Sequence, residues 1–194
     1  SRFEAPLISS LALRWEMDSN WVFRASYGRG FRAPSLKELY FLFVDENHNI
    51  LGNEELRAET SNNYQIAWQY QHLGQWNWSL DVRFFFNDLQ NEIRLVSVIE
   101  PDDNEPRGLY RNENIARSQN TGFNLSSRLE YAQWSAEAGA AFIGLKNNLA
   151  FENETVNGFN FYPQYRLGIN YIIKAWKLEP SLYANHTGQR KDLS

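Results

Sequence analysis

The sequence predicts an all-β chain, an antiparallel up-and-down transmembrane β-barrel segment. Three observations carry that reading. Apolar and polar residues alternate with period two along most of the chain, the period of a strand and not of a helix. The connections between the alternating runs are short and long by turns. Large aromatic residues flank every short turn, and they do so on the apolar face.

The runs follow in order. Leu7, Leu11, Leu13 and Trp15 share one face against Ser10, Arg14 and Glu16, and the run stops at Asp18-Ser19-Asn20, a turn-forming cluster. Trp21, Phe23, Ala25 and Tyr27 then alternate with Arg24, Ser26 and Gly28. Tyr64, Ile66, Trp68 and Tyr70 alternate with Gln65, Gln69 and Gln71. Leu73-Gly74-Gln75 turns the chain into Trp76, Trp78, Leu80, Val82, Phe84 and Phe86, opposed by Asn77, Ser79, Asp81, Arg83 and Asn87. Ile115, Phe123, Leu125, Leu129 and Tyr131 form a fifth run against Asn120, Asn124, Arg128 and Glu130. The sixth, from Trp134 to about Gly144, is Ala-rich. The seventh sets Phe161, Tyr165, Leu167, Ile169 and Tyr171 against Gln164, Arg166 and Asn170. The eighth sets Trp176, Leu178 and Leu182 against Lys177, Glu179, Ser181 and Asn185, with Pro180 inside it expected to make a bulge because it cannot donate to a ladder. These are about eight strands of roughly 10–15 residues, longer than the five or six usual in globular proteins. Short turns fall near 18–20, 72–75, 132–133 and 174–175, and long loops near 31–60, 97–110 and 145–159.

Alternation alone does not say which face is outside. A soluble lipocalin-like barrel hides its apolar face, whereas a membrane barrel shows it to lipid. The aromatics decide. Trp15 and Trp21, Tyr70 and Trp76, Tyr131 and Trp134, and Tyr171 and Trp176 flank the four short turns. Trp and Tyr favour the headgroup level, where the ring is half buried and its N–H or O–H stays wet. A soluble core concentrates bulk centrally and not at one rim. The polar face is then a hydrated lumen.

Composition agrees. The 194 residues carry 19 Lys+Arg and 23 Asp+Glu, a net charge of -4, which argues against a nucleic-acid partner. The absence of Cys excludes a disulfide framework and thiolate chemistry. The longest apolar run is Ala138–Leu145, far short of the roughly 18 residues of a membrane helix. No G-x-S-x-G elbow or H-E-x-x-H pair occurs, and G-R-G-F at 28–31 lacks the third Gly of a dinucleotide loop, so no enzyme activity is expected. In the loop 31–60, Pro34 fixes φ, and Ser35 with Glu38 has capping-box spacing for a short helix whose apolar side is Leu36, Leu39 and Tyr40. Arg32 and Glu38 are expected to pair.

Residues 27–40 read Y-G-R-G-F-R-A-P-S-L-K-E-L-Y, and residues 52–64 read G-N-E-E-L-R-A-E-T-S-N-N-Y. This resembles the barrel domain of TonB-dependent outer-membrane receptors, with its G-F-R-A-P-x-L-x-E-L-Y segment and its G-N-P-x-L-x-P-E-x-S-x-x-Y box. The second box departs where Glu54 and Ala58 stand in place of Pro. The segment N-I-A-R-S-Q-N-T-G-F, 114–123, is also similar to a strand of that family. The resemblance implies a bacterial outer-membrane, multi-pass barrel of roughly 22 strands closed around an N-terminal plug. Residues 1–194 would be an internal part of that barrel, without the plug and without the C-terminal strand.

It also implies roles. Gly30, Phe31, Arg32, Ala33, Pro34, Glu38, Gly52, Asn53, Glu59 and Ser61 would be shared scaffold. The imported cargo would be a scarce nutrient complex, most readily an iron carrier such as haem or a ferric siderophore, with cobalamin or docking of a surface lipoprotein as alternatives. His48 lies between the two boxes, where haem receptors of the family place an axial His, and Tyr40 and Phe43 are its aromatic neighbours in sequence. His72 flanks a short turn and His186 nears the long-loop rim. No cofactor is expected in the chain itself; haem enters only as cargo. The partners implied are the TonB complex acting through the plug, the nutrient complex, outer-membrane lipids and lipopolysaccharide.

Overall fold

The structure, a computed structural model, describes residues 6–45, 49–99, 108–148 and 158–189. Among these, β1 (Ser10–Glu16), β2 (Trp21–Arg32), β5 (Glu59–His72), β6 (Trp76–Ile99), β7 (Leu109–Tyr131), β8 (Trp134–Asn148), β9 (Asn160–Tyr171) and β10 (Ser181–Thr187) follow one another in a single antiparallel sheet. The order in space is the order in sequence, an up-and-down meander. Inside the loop between β2 and β5 lie a short helix α1 (Leu36–Tyr40) and two three-residue strands, β3 (Leu42–Val44) and β4 (Asn49–Leu51).

Local chemistry sets the turns. Asp18 Oδ1 accepts from the backbone N–H of Asn20 at 2.7 Å and of Trp21 at 2.9 Å, closing the β1–β2 hairpin as an Asx turn. At the β7–β8 turn Ala132 adopts φ 53° to complete a two-residue reversal.

The registers sort the side chains into rows running across the strands. On one face Trp76, Tyr131, Trp134 and Tyr171 are successive cross-strand partners, with ring centroids 4.0 Å apart for Trp76–Tyr131 and 4.5 Å for Trp134–Tyr171. Trp21 and Tyr70 pair in the same way at 4.8 Å. Toward the long loops the same face continues with Phe84, Phe123 and Phe142, and ends with Tyr27, Tyr64, Phe86, Thr121, Gly144 and Phe161. Along β6 this apolar band runs from Trp76 to Phe86. At about 3.3 Å per residue and a tilt near 45°, it stands about 23–25 Å tall, the height of an outer-membrane apolar band.

The opposite face is polar and concave. Its clefts are lined by Arg24, Gln69, Asp81, Arg83, Asn124 and Arg166. Arg24 Nε donates to Gln69 Oε1 at 2.9 Å, and Gln69 Nε2 donates to Asp81 Oδ2 at 2.9 Å. An apolar convex face and a hydrated concave face make a segment of membrane barrel wall and not a soluble barrel. Leu13, Phe84, Leu167 and Leu182 accordingly stand exposed on the convex side.

Three expectations need correction. The strands β6 and β7, 24 and 23 residues long, run well past the predicted 10–15. Their alternation continues beyond Phe86, so the hairpin projects past its neighbours: β5 pairs with β6 only as far as Gln90. The eighth strand begins at Ser181, not at Trp176. Trp176 and Leu178 lie in a turn closed by the Ile173–Leu178 bridge, with Lys177 at φ 51°, and Pro180 precedes the strand instead of bulging within it. Proline lacks the N–H that an interior ladder position needs, so the strand starts after it. Finally, the loop 31–60, expected to hold one short helix, holds strand pairing as well: β3 pairs with β4, and β4 adds in parallel to the projecting edge of β7 at Ile50–Tyr110 and Leu51–Arg111.

Candidate functional site

The two sequence boxes meet at the long-loop end of the barrel wall, where the segment 31–59 folds against the projecting β6–β7 hairpin. Helix α1 is short enough that its ends decide whether it forms. Ser35 accepts from the Glu38 N–H at 3.2 Å, and the Glu38 carboxylate accepts from the Ser35 N–H at 2.7 Å, a complete capping box. The helix buries Leu39 against Leu56 and Ile93, a small apolar cluster at the base of the loop.

Arg32 ties this helix to the wall. Its Nε and Nη2 donate to the two oxygens of Glu59 at 2.7 and 2.6 Å, and its Nη1 donates to Glu38 at 3.0 Å. Glu59 also accepts from the Ile93 N–H at 2.7 Å, so one carboxylate joins β2, β5 and β6. Burial works against the charge on Glu38 and Glu59. The Ser35 and Arg32 donors at Glu38, and the Arg32 and Ile93 donors at Glu59, outweigh it and hold both carboxyls below their ordinary range. The hydrogen bond to Glu59 leads in holding the Arg32 guanidinium charged.

Two motif glycines are close-approach positions. A Cβ on Gly52 would lie 2.5 Å from the Leu39 carbonyl oxygen at the end of α1, and a Cβ on Gly30 would lie 2.4 Å from Ser61 Oγ. Asn53 is buried. Its Nδ2 donates to the Asn112 carbonyl at 2.9 Å and its Oδ1 accepts from the Glu55 N–H at 2.9 Å. Pro34 is buried, Ala33 is exposed, and Phe31 pairs with Thr60 at the end of β2.

Thus the structure brings together Gly30, Arg32, Glu38, Gly52, Asn53, Glu59 and Ser61 as one brace. The Tyr40 side chain is exposed, and the Phe43 ring stacks with Phe41 at 5.9 Å, while Lys37 Nζ sits 4.8 Å over Phe41. His48 falls between β3 and β4 and lies outside the described residues. No group of three or more metal-ligating side chains occurs among the described residues.

Sequence reasoning missed Asn114 and Asn91. Asn114 Oδ1 accepts from the Arg57 N–H at 2.7 Å, and its Nδ2 donates to the carbonyls of Arg57 and Asn91 at 3.0 and 2.7 Å. Asn91, at φ 56°, reaches the Ala58 carbonyl. The available signal was Asn114 heading the 114–123 segment. The side chain does what a strand partner would do for a loop that has none.

The brace ties the segment between β2 and β5 to the wall. The sequence profile described as "TonB dependent receptor-like, beta-barrel" matches residues 6–194. The chain is 27% identical over 153 residues to hemoglobin and hemoglobin-haptoglobin-binding protein B of Haemophilus influenzae, covering 76% of this chain and 14% of that protein. It is 33% identical over 85 residues to the iron-regulated outer membrane virulence protein of Vibrio cholerae, covering 43% of this chain and 13% of that one. The chain thus spans about a seventh of the length of these relatives. In fold it matches the siderophore receptor PirA from Pseudomonas aeruginosa with a TM-score of 0.69 at 15% identity, over 92% of this chain and 34% of that one. It matches the FrpB iron transporter from Neisseria meningitidis with a TM-score of 0.66 at 14% identity, over 91% and 26%. The apolar convex band, the polar concave wall, the Arg32 brace and a match along nearly the whole sequence lead to one assignment: this chain belongs to the TonB-dependent receptor β-barrel family of the bacterial outer membrane.

Proposed function

We propose that the receptor containing this wall imports an iron carrier, and that its cargo is haem taken from a haem protein. The observation that carries this reading is the similarity over three quarters of the chain to proteins of Haemophilus influenzae named for binding hemoglobin. The chemistry of the wall fits a binding and transport role. The brace built on Arg32 and Glu59 holds the base of the segment between β2 and β5, at the long-loop end, which in outer-membrane barrels faces outward; Tyr40, Phe43 and His48 belong to that segment in sequence.

In this reading His48 donates an imidazole to ferric haem as it is released, with Tyr40 and Phe43 offering aromatic surface to the macrocycle. Energy for passage comes from the TonB complex acting through a plug. The chain's own part is to bind and orient cargo.

The test is growth of a strain whose sole iron source is hemoglobin or free haem, with the intact receptor supplied or deleted. Growth that depends on the receptor is expected. His48→Ala in the intact receptor should weaken haem binding and shift the Soret band. Unchanged affinity and spectrum would make His48 an ordinary loop residue. Growth support for a ferric siderophore or cobalamin, and never for haem, would reassign the cargo. Capture of a surface lipoprotein without any uptake would overturn the transport reading.

A further inference from the structure

The segment that follows the Arg32 brace displays an apolar surface beyond the reach of lipid. Leu36 and Tyr40, one helical turn apart on α1, stand exposed, and so do Leu42, Phe43 and Val44 along β3. The other side of α1 is anchored. Leu39 packs with Leu56 and Ile93, and Ile93 lies on β6 past Phe86, where the apolar band ends. Lipid therefore does not account for the patch. Five large apolar groups between residues 36 and 44 are also more than scattered surface exposure explains.

Phe41 gives this surface its order. Its N–H donates to the Lys37 carbonyl at 3.0 Å, and its carbonyl accepts from the Gly52 N–H at 2.6 Å, so its backbone is held from both sides. The Phe41 and Phe43 rings stack with centroids 5.9 Å apart and planes 19° apart. The pairing of Phe43 with Ile50, across β3 and β4, fixes the second ring's backbone in turn. Lys37 Nζ stands 4.8 Å over the Phe41 ring. Among the described residues this ammonium meets no acidic side chain, because the neighbouring Glu38 is engaged by Arg32 and by the Ser35 N–H. A ring face attracts the cation from one side and leaves N–H donors open to an anion on the other.

We infer that Lys37 and the Phe41–Phe43 stack form a subsite for a flat aromatic ligand that carries a carboxylate. The rings take the face of the ligand, and the Lys37 ammonium takes the carboxylate at its rim. The inference rests on the haem reading and sharpens it: haem is a planar macrocycle with propionate carboxylates along one edge, and Lys37 is assigned to a propionate. The juxtaposition selects the occupant. Near-parallel rings suit a planar π-surface, and an unpaired ammonium beside them suits an anionic group at the edge of that surface. A protein partner seated on the same patch would bury the apolar groups without needing a carboxylate at Lys37. The role is separate from iron ligation, so it does not depend on His48.

The experiment titrates the intact receptor in detergent with haem and with haem dimethyl ester, whose carboxylates are masked, and reads binding by absorbance. Haem should bind more tightly than the ester. Lys37→Gln should weaken haem by about fivefold, the size of one partly solvated ion pair, and leave the ester unchanged. Lys37→Arg should keep the preference for haem. Phe43→Leu should weaken both ligands alike, and Lys177→Gln, in the turn at the opposite rim, should change neither. Haem bound by the unaltered receptor no better than the ester would overturn the inference while leaving the cargo reading intact, without any variant having to fold. So would a Lys37→Gln receptor that weakens on both ligands equally or on neither. Binding of neither ligand by the unaltered receptor would sink the cargo reading and the inference together.

Discussion

Arg32 grips Glu59 with two nitrogens at once, Nε at 2.7 Å and Nη2 at 2.6 Å, and so fastens the end of β2 to the start of β5 at the point where the loop leaves the wall. A planar fork matched to a carboxylate is something lysine cannot reproduce. Arg32→Lys in the intact receptor should therefore loosen residues 33–58 by about 1 kcal/mol, a modest figure because the guanidinium is partly solvated. Faster hydrogen exchange in α1, with unchanged exchange in β7, is the expected result.

Acid should release the same loop. Glu38 and Glu59 have carboxyls held below their ordinary range by their donors, after burial is overcome. Groups with a depressed folded-state pKa contribute stability that is present above the unfolded value, and this contribution is lost as pH falls through the folded one. The loop should stay protected at neutral pH and open below about pH 4, where unfolded carboxyls also protonate. Glu38→Gln should flatten part of that dependence, as read by exchange or by limited proteolysis across pH.

Gly52→Ala tests a close approach. The added methyl would meet the Leu39 carbonyl oxygen, a backbone atom that cannot swing away. A cost of about 1–3 kcal/mol is expected, the usual range for overpacking. Gly30→Ala meets only a serine hydroxyl, and the added substitution Ser61→Ala should relieve it.

Asn114→Ala should undo the join between the loop and the β6–β7 hairpin. It removes partners from the Arg57 N–H, the Arg57 carbonyl and the Asn91 carbonyl together. A loss of about 2 kcal/mol in local stability is expected. Exchange should quicken at residues 53–58 and leave the Arg32 end of the brace protected.

The faces of the wall predict unequal costs for two adjacent positions. Val82 lies near the middle of the apolar convex band, and Arg83 lies on the concave side near Asp81, at 3.5 Å. Val82→Arg should destabilise the receptor in lipid by about 2–4 kcal/mol. Arg83→Val should cost less than about 1 kcal/mol, because a wet ion pair contributes little. Equal costs in denaturant titration would contradict the face assignment.

The alternation from Trp76 to Phe86, the aromatic pairs at the short turns and the Ser35–Glu38 spacing were all legible in the sequence. Each is a short-range pattern, in which period-two burial or a three-residue hydrogen bond dictates local form. The face that meets lipid could be read from the same pattern, because aromatic rings at one rim have a physical reason only at a membrane interface. What lies far apart in the chain could not be read so. That Asn114 would serve Arg57 and that β4 would join β7 in parallel depend on register. A tight turn fixes register within a hairpin, but across a long loop it is set by the neighbours the segment finds. The row of Tyr27, Tyr64, Phe86, Thr121 and Gly144 is the clearest case: its five residues come from five strands, and only the cross-strand pairing aligns them at one level of the wall.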